Sequence, residues 1–378
     1  MRLFFLVFFG LYGGMHLYFF VRARAAFALH PAASSLLAGC LLLMTCAPML
    51  VRALERRGYD EAARLVAWPA YCWLGFLFLF CSLALPLDLY RLLVRCAAFL
   101  LKHDPSAILL TVRPLFTVAA GGACVLSVYG FFAARDIRTE HLTIASPKIP
   151  ASAGRIRIVQ ISDMHLGLIV REARLARVAR LVEEAHPDLL VSTGDFVDGH
   201  LDGATGILAL LRQIRPRLGK FAITGNHEFY VGLDQALRFT RDAGFTVLRG
   251  EAVNAGDCLT VAGVDDPAGN RTGENPPQAE RPLLQPLPRN RFILFLKHQP
   301  RIDPTSAGLF DLQLSGHVHG GQIFPFTLLT RLVYPFPTGL TRLPAGGSIY
   351  VSRGTGTWGP PMRVLAPPEV TVIDLVHG

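Results

Sequence analysis

The sequence predicts a chain in two parts: a multi-span α-helical membrane region at the N-terminus, followed by an α/β domain. Three observations carry this reading. Four long apolar runs fill the first third. From about Arg135, short β-rich runs alternate with helical patterns. Five clusters of Asp, Asn and His each sit just past an apolar, strand-like run.

The apolar runs cover residues 3–21, 32–51, 65–87 and 114–133, and each is long enough to cross about 30 Å of hydrocarbon. Over its 378 residues the chain is 51% hydrophobic and 17% charged, with a mean hydropathy of +0.38. Soluble domains carry about 25% charge. Buried helices of a soluble bundle are the alternative, but four such runs with almost no internal charge argue against it. The first run follows Arg2 and precedes small residues at 23–28, the layout of a signal peptide. It is longer than a signal-peptide core and three more runs follow, so it reads as an anchor. The stretch 92–101, broken by Arg95, reads as an amphipathic interfacial segment. His16, inside the first run, reads as a packed or interfacial histidine rather than a proton relay.

Residues 1–134 hold 11 Lys+Arg against 5 Asp+Glu, so they carry +6 of the net +9. The excess lies between apolar runs, where Arg anchors helix ends at the headgroups. The nearly balanced remainder gives no nucleic-acid footprint. A cytosolic N-terminus would put Arg2, Arg52, Arg56, Arg57, Arg64, Arg135, Arg138 and Lys148 on the cytosolic side. The other side would hold Arg22, Arg24, Arg91, Arg95 and Lys102, so the charge rule favours a cytosolic C-terminal domain. Of the seven cysteines only Cys258 lies beyond residue 134, which excludes a disulfide within that domain and fits a reducing compartment.

The second part, residues 135–378, predicts strands at 155–161, 189–192, 220–223, 259–264, 292–297, 312–314, 349–352 and 370–375. Leu175, Val178, Leu181 and Val182 recur at helical spacing between the first two. This alternation is that of an α/β domain. The Pro-rich, polar segment 270–289 reads as a surface loop.

The chemistry-bearing residues follow the strands in order. Asp163 and His165 follow 155–161; Asp195 follows 189–192; Asn226 and His227 follow 220–223. His298 follows 292–297, and His317 and His319 follow 312–314. Loops at strand ends carry sites on a rigid frame. Carboxylate oxygens and imidazole nitrogens suit Mn, Fe or Zn, and a lone carboxylate such as Asp195 can bridge two cations. His317 and His319 can share one ion or split between two. Glycines before Asp195, Asn226 and His317 let the backbone turn and bring the ligand close. Any one of these motifs alone is more often a turn; all of them in order are not.

The set D-x-H, G-D, G-N-H-E, H and G-H-x-H resembles the calcineurin-like metallophosphoesterases. Ser315 to Gln322 (S-G-H-V-H-G-G-Q), Ser352-Arg353-Gly354 and Ala366-Pro367-Pro368-Glu369 resemble the membrane-associated bacterial branch. The resemblance implies a four-layer fold, two mixed β-sheets flanked by helices. It implies that Asp163, His165 and His319 hold one divalent ion, that Asn226, His298 and His317 hold a second, and that Asp195 bridges them. His227 becomes the catalytic histidine. Asp198 stands either behind the site or as a loop cap, and Glu228 is structural.

The implied reaction is in-line attack of metal-activated water on phosphorus, with His227 protonating the leaving oxygen. The expected enzyme is a metallophosphoesterase of the bacterial inner membrane. Related bacterial hydrolases split the pyrophosphate of UDP-diacylglucosamine, so the expected substrate is lipid-linked, such as that compound or a phospholipid. A non-catalytic membrane sensor or scaffold is the competing reading, disfavoured by the complete ligand set. Finally, residues 323–336 are apolar, aromatic and Pro-broken, neither a clean strand nor a clean helix. They either pack into the core or form an apolar lip beside the metals, with Phe324 and Phe326 meeting acyl chains and Arg331 meeting a headgroup.

Overall fold

The computed structural model describes residues 2–106, 108–199, 205–274 and 279–378, with side chains omitted for 2–8 and 205. It divides into two units: Met1–Phe132 with Gly359–Met362, and Ala133–Trp358 with Arg363–Gly378.

The first unit is helical: α1 (Arg2–Phe27), α2 (Pro31–Glu55), α3 (Asp60–Leu101) and α4 (Val112–Ala133). By length and composition α2, α3 and α4 can each cross a membrane. The run expected at 3–21 lies in α1 and begins where side chains fall outside the described residues. The stretch 92–101 is not a separate segment. It continues α3, whose interior carries Pro69 and Pro86, residues that membrane helices tolerate. Aromatic side chains tie the helices together: Phe19 of α1 lies 4.8 Å from Phe80 of α3 and 5.5 Å from Phe116 of α4, centroid to centroid. His16 is buried, with Nδ1 2.8 Å from Tyr12 O and Nε2 2.9 Å from Trp73 Nε1. Both ring nitrogens are thus engaged, as in a packed histidine.

The second unit starts with β1 (Arg138–Ser146), β2 (Arg155–Ile161), α5 (Glu172–Glu184), β3 (Leu189–Ser192), α6 (Thr205–Gln213) and β4 (Lys220–Ala222). It continues through α7 (Asn226–Val231), α8 (Leu233–Asp242), β5 (Thr246–Val247), β6 (Glu251–Ala255) and β7 (Leu259–Gly263). Next come α9 (Ala268–Thr272), α10 (Glu280–Leu284), β8 (Phe292–Leu296) and β9 (Leu312–Ser315). The chain closes with α11 (Phe326–Val333), β10 (Gly339–Arg342), β11 (Ser348–Val351) and β12 (Glu369–His377).

The strands form two six-stranded mixed sheets, ordered β1-β12-β2-β3-β4-β5 and β10-β11-β9-β8-β7-β6. The twofold side-chain alternation of strands builds the layers. Ile156, Ile158, Leu189 and Val191 of one sheet join Phe292, Leu294, Leu296, Leu312 and Leu314 of the other in a core between the sheets. The opposite faces take Val159, Ile161 and Leu190 to Val178 of α5, Leu211 of α6 and Phe239 of α8. On the far side Ile293 and Phe295 pack with Leu284 of α10. Both faces are covered, which is why β3 and β8 read as nearly continuous apolar runs. Strands β2, β3 and β4 are parallel neighbours, as are β8 and β9, so each set delivers its following loops at one end.

Two readings are corrected. Segment 270–289 is not wholly a surface loop: α10 lies within it, and Glu280 is buried against Lys297 Nζ at 2.5 Å and Ser306 Oγ at 2.7 Å. Residues 323–336 do contain a helix, α11, and none of its residues is buried, so the helix lies outside the core, whereas Ile323 before it is buried and Tyr334 and Phe336 after it pack against Val318, Ile349 and Val351. Removing Glu280 leaves the Lys297 ammonium buried without its partner. Glu280→Ala is expected to lower the domain's stability by about 3 kcal/mol, read as the thermal unfolding midpoint in detergent. The exposed Glu274→Ala should stay within about 0.5 kcal/mol. Equal shifts would mean the Glu280 pair contributes nothing special.

Candidate metal centre

Each cluster occupies the first residues beyond a strand, and the backbone there is bent hard. Asp163, His165, Asp195, His317 and His319 all have positive φ, between 50° and 71°. Side chains other than Gly rarely adopt this region, and such strain collects at functional sites. Gly194, with φ 93°, turns the backbone as expected, whereas Gly225 and Gly316 serve closeness. Gly225 has φ −100°, and a Cβ on it would lie 2.2 Å from Asp195 Oδ1. A Cβ on Gly316 would lie 2.2 Å from Asp163 Oδ2. Any side chain at either position would push a carboxylate out of place.

The loops bring the residues into two groups. In one, ligand atoms of Asp163, His165 and His319 lie within 4.8 Å of one another; in the other, those of Asp195, His298 and His317 do. His165 and Asp195 also approach His227 in the same way. Nε2 of His165 and Nε2 of His319 are 3.0 Å apart, and His317 Nδ1 is 3.2 Å from His298 Nε2. Asp195 stands between the groups, with Oδ2 3.2 Å from His298 Nε2 and 3.8 Å from His165 Nε2. Asn226 is buried at the start of α7, and its Oδ1 has no hydrogen-bond partner among the described residues.

These donors fit divalent cations. A buried amide oxygen without a partner is costly, and converging imidazole nitrogens beside carboxylates form a mixed N/O set suited to Mn, Fe or Zn. His298 Nδ1 lies 2.7 Å from Thr193 O. Donation there leaves the Nε2 lone pair directed at the site, the usual support for a metal-binding histidine. His317 Nε2 meets Tyr334 Oη at 2.6 Å, which leaves its Nδ1 for the site in the same way.

Charge is managed by proximity. Burial raises the Asp195 pKa, but the neighbouring His298 and His227 outweigh it and hold the carboxyl well below its usual range. Burial leads at Asp163 and pushes its carboxyl up. At His227 burial acts downward, yet the Asp198 and Asp195 carboxylates lift the imidazole to about 9. Asp198 Oδ1 is 2.5 Å from His227 Nδ1, and its Oδ2 is 3.5 Å from His165 Nδ1. Asp198 therefore lies behind both imidazoles rather than only capping its loop.

Glu228 is structural, as expected, but its partners and those of several other contributors escape sequence reading. Glu228 accepts the backbone N–H groups of Asp195, Phe196, Val197 and Gly225 at 2.6–3.1 Å, clamping the Asp195 loop to α7. Arg363, fully buried, donates to the carbonyl oxygens of His319, Arg353 and Gly356. Arg353 pairs with Glu140 and, at 2.7 Å, with Glu369. The S-R-G and A-P-P-E motifs thus brace the loop beside Asp163. Their spacing gave the hint; the partners required the fold. Phe324, Phe326 and Arg331 are exposed, and the α11 segment is tied to the centre at both ends. Thr327 Oγ1 donates to Gly320 O at 2.8 Å, and Tyr334 reaches His317.

The pattern of the calcineurin-like phosphoesterases matches residues 156–321. An uncharacterised metallophosphoesterase of Aquifex aeolicus is 44% identical over 255 residues, covering 67% of this chain and 97% of that protein. Metallophosphoesterase YkuE of Bacillus subtilis is 34% identical over 280 residues, covering 68% and 93% respectively. A transmembrane protein with metallophosphoesterase domain from Danio rerio is 33% identical over 266 residues, and the match spans 60% of its length. With its strand-end ligand motifs and its two mixed sheets flanked by helices, this membrane protein belongs to the calcineurin-like metallophosphoesterase family and is a hydrolase acting on phosphoester bonds.

Proposed function

We propose that the chain uses two divalent cations to hydrolyse a phosphoester or pyrophosphate bond of a lipid-linked substrate at a membrane surface. The observation that carries the two-cation reading is the sharing of Asp195 between the donor groups of the centre. Asp163, His165 and His319 would hold one ion, Asn226, His298 and His317 the other, and Asp195 both. Cations there would supply Lewis-acid charge to phosphoryl oxygens and acidify a water at neutral pH.

The chain's own groups do the rest. Asp198 engages His227 Nδ1, which leaves Nε2 as the nitrogen able to hand over a proton. The Asp198 and Asp195 carboxylates favour the protonated ring, and His227 serves as general acid to the leaving oxygen. Asp198 is a positioning residue that keeps the ring oriented. Glu228 and the glycines fix Asp195, so little reorganisation accompanies the reaction.

The lipid assignment is supported by α11. Phe326 is 44% exposed and Leu332 83%, with Phe324, Leu328, Leu329 and Val333 also exposed. Its threonines turn inward, and Arg331 stands among the aliphatics. A contiguous exposed apolar surface marks a site of interaction. The same chain carries three helices able to cross a bilayer, so acyl chains are the occupants within reach, and Arg331 suits their phosphate. The charge rule favours placing this domain on the cytosolic face of a bacterial inner membrane.

Asp195→Asn is expected to abolish hydrolysis and to lower bound metal, measured by atomic emission. Full metal content with wild-type turnover would remove the bridging role. His227→Ala should keep its metal and lose about 10²–10⁴-fold in kcat, the usual worth of general acid catalysis. Loss of metal instead would make His227 a ligand. Phe324→Ser with Phe326→Ser should depress turnover of a lipid-linked phosphodiester in mixed micelles and spare a short soluble one. Retention on both substrates would rule out α11 as the lipid contact, and equal loss on both would show damage to the domain.

A further inference from the structure

We propose that Tyr230 and Trp358 form a subsite for a flat aromatic group carried by the leaving alcohol. The inference rests on His227 being the proton donor, because whatever the leaving oxygen belongs to must lie against the neighbours of that imidazole. Those neighbours are aromatic. The His227 ring centroid is 5.5 Å from that of Tyr230 and 5.8 Å from that of Trp358, with interplanar angles of 64° and 74°. Both therefore meet the imidazole edge to face. Tyr230 is 47% exposed and Trp358 49%, so each offers ring surface to a ligand.

Exposed aromatics are common in themselves; the fixing of this tryptophan is not. Trp358 N donates to Gln322 Oε1 at 2.9 Å, and Gln322 Nε2 donates to Trp358 O at 2.8 Å. Gln322 is buried three residues beyond His319. The preceding turn is anchored as well. Thr355 N donates to Ser162 O at 2.7 Å and Gly356 N to Asp163 O at 2.9 Å. A Cβ on Gly356 would lie 2.1 Å from Met164 O, so glycine is what lets this turn press on the Asp163 loop. Tyr230 follows His227 by three residues on α7, and its hydroxyl accepts from Arg271 at 3.0 Å. The backbone of Trp358 is thus held by Gln322 and its preceding turn by the Asp163 loop, while Tyr230 is held by its place on α7 and by Arg271, and both rings lie against His227. Preorganised rings of this kind bind a flat partner at low entropic cost, and an aromatic pair is worth more than its area alone.

The test compares two methyl phosphodiesters, one of 2-phenylethanol and one of 2-cyclohexylethanol, with the full-length protein in detergent and Mn²⁺. The two differ in aromaticity and keep a primary alcohol of similar size as leaving group. The wild type should favour the phenyl ester in kcat/KM by roughly 2- to 12-fold, the range expected for an aromatic pair. Trp358→Leu should bring that ratio close to one, and Trp358→Phe should retain most of it. Tyr230→Leu reads the subsite independently should Trp358→Leu not fold, and His227→Ala should slow both esters together. A wild-type ratio of one, or an unchanged ratio in both leucine variants, overturns the subsite. Turnover of neither ester by the wild type would instead bring down the assignment of the centre on which the subsite rests.

Discussion

Burying Asp195 is the constraint on which the rest of this domain depends. A carboxylate with almost no exposed surface is costly unless it is matched by charge and hydrogen bonds. Here the backbone N–H of His227 donates to its Oδ1 at 2.8 Å, and His298 faces its Oδ2. The loop that carries it is in turn held by Glu228, another buried carboxylate, whose own demand for donors is met by four backbone N–H groups. The two acids divide the work: one is supplied with donors by its surroundings, and the other faces imidazoles that a cation can join. Neither arrangement survives a side chain at Gly225, whose Cβ would overlap Asp195.

Much of this was legible in the sequence, for a physical reason. Strands covered on both faces are rich in apolar residues, so β3 and β8 stand out throughout and β2, β4 and β9 stand out despite the buried Gln160, Lys220 and Gln313, and the chemistry-bearing residues beyond their ends stand out against them. Strands at the edges did not. β1 runs Arg-Thr-Glu-His-Leu-Thr-Ile-Ala-Ser, with Leu142 and Ile144 packed against the core and polar residues between. That half-polar pattern at a sheet edge reads as a loop. The candidate ligands were legible because their chemistry is restricted to few residue types. The structural role of Glu228 came with the family resemblance but its partners did not, and Arg363 and Tyr334 are ordinary residues whose roles come from partners up to 44 positions away, as Arg363 is from His319.

The segment after His319 shows where periodicity fails. A helix of eight residues flanked by prolines is too short for a helical pattern to declare itself, and α11 inverts the usual polarity of a surface helix. Thr327 bonds to Gly320 beneath it, while the aliphatics face out. Core partners reach only the ends of the run, with Ile323 buried and Tyr334 and Phe336 against Val318, Ile349 and Val351, while no residue of α11 is buried. The preceding turn has no room to pull it inward, since a Cβ at Gly321 would strike Thr327.

The centre is bounded by two unlike surfaces, one tied to the candidate ligand His317 and the other to His227. Tyr334, at the end of the aliphatic α11, bonds to His317, while the aromatic pair of Tyr230 and Trp358 packs against His227. A phosphoryl group lying between the proposed ligands and the proposed proton donor would then have its two substituents on chemically different ground. With His227 as the proposed proton donor, the leaving oxygen would lie on its side, and the group retained on phosphorus would be the one nearer α11. Which substituent leaves and which stays would then depend on surfaces that touch the centre through single hydrogen bonds and ring contacts.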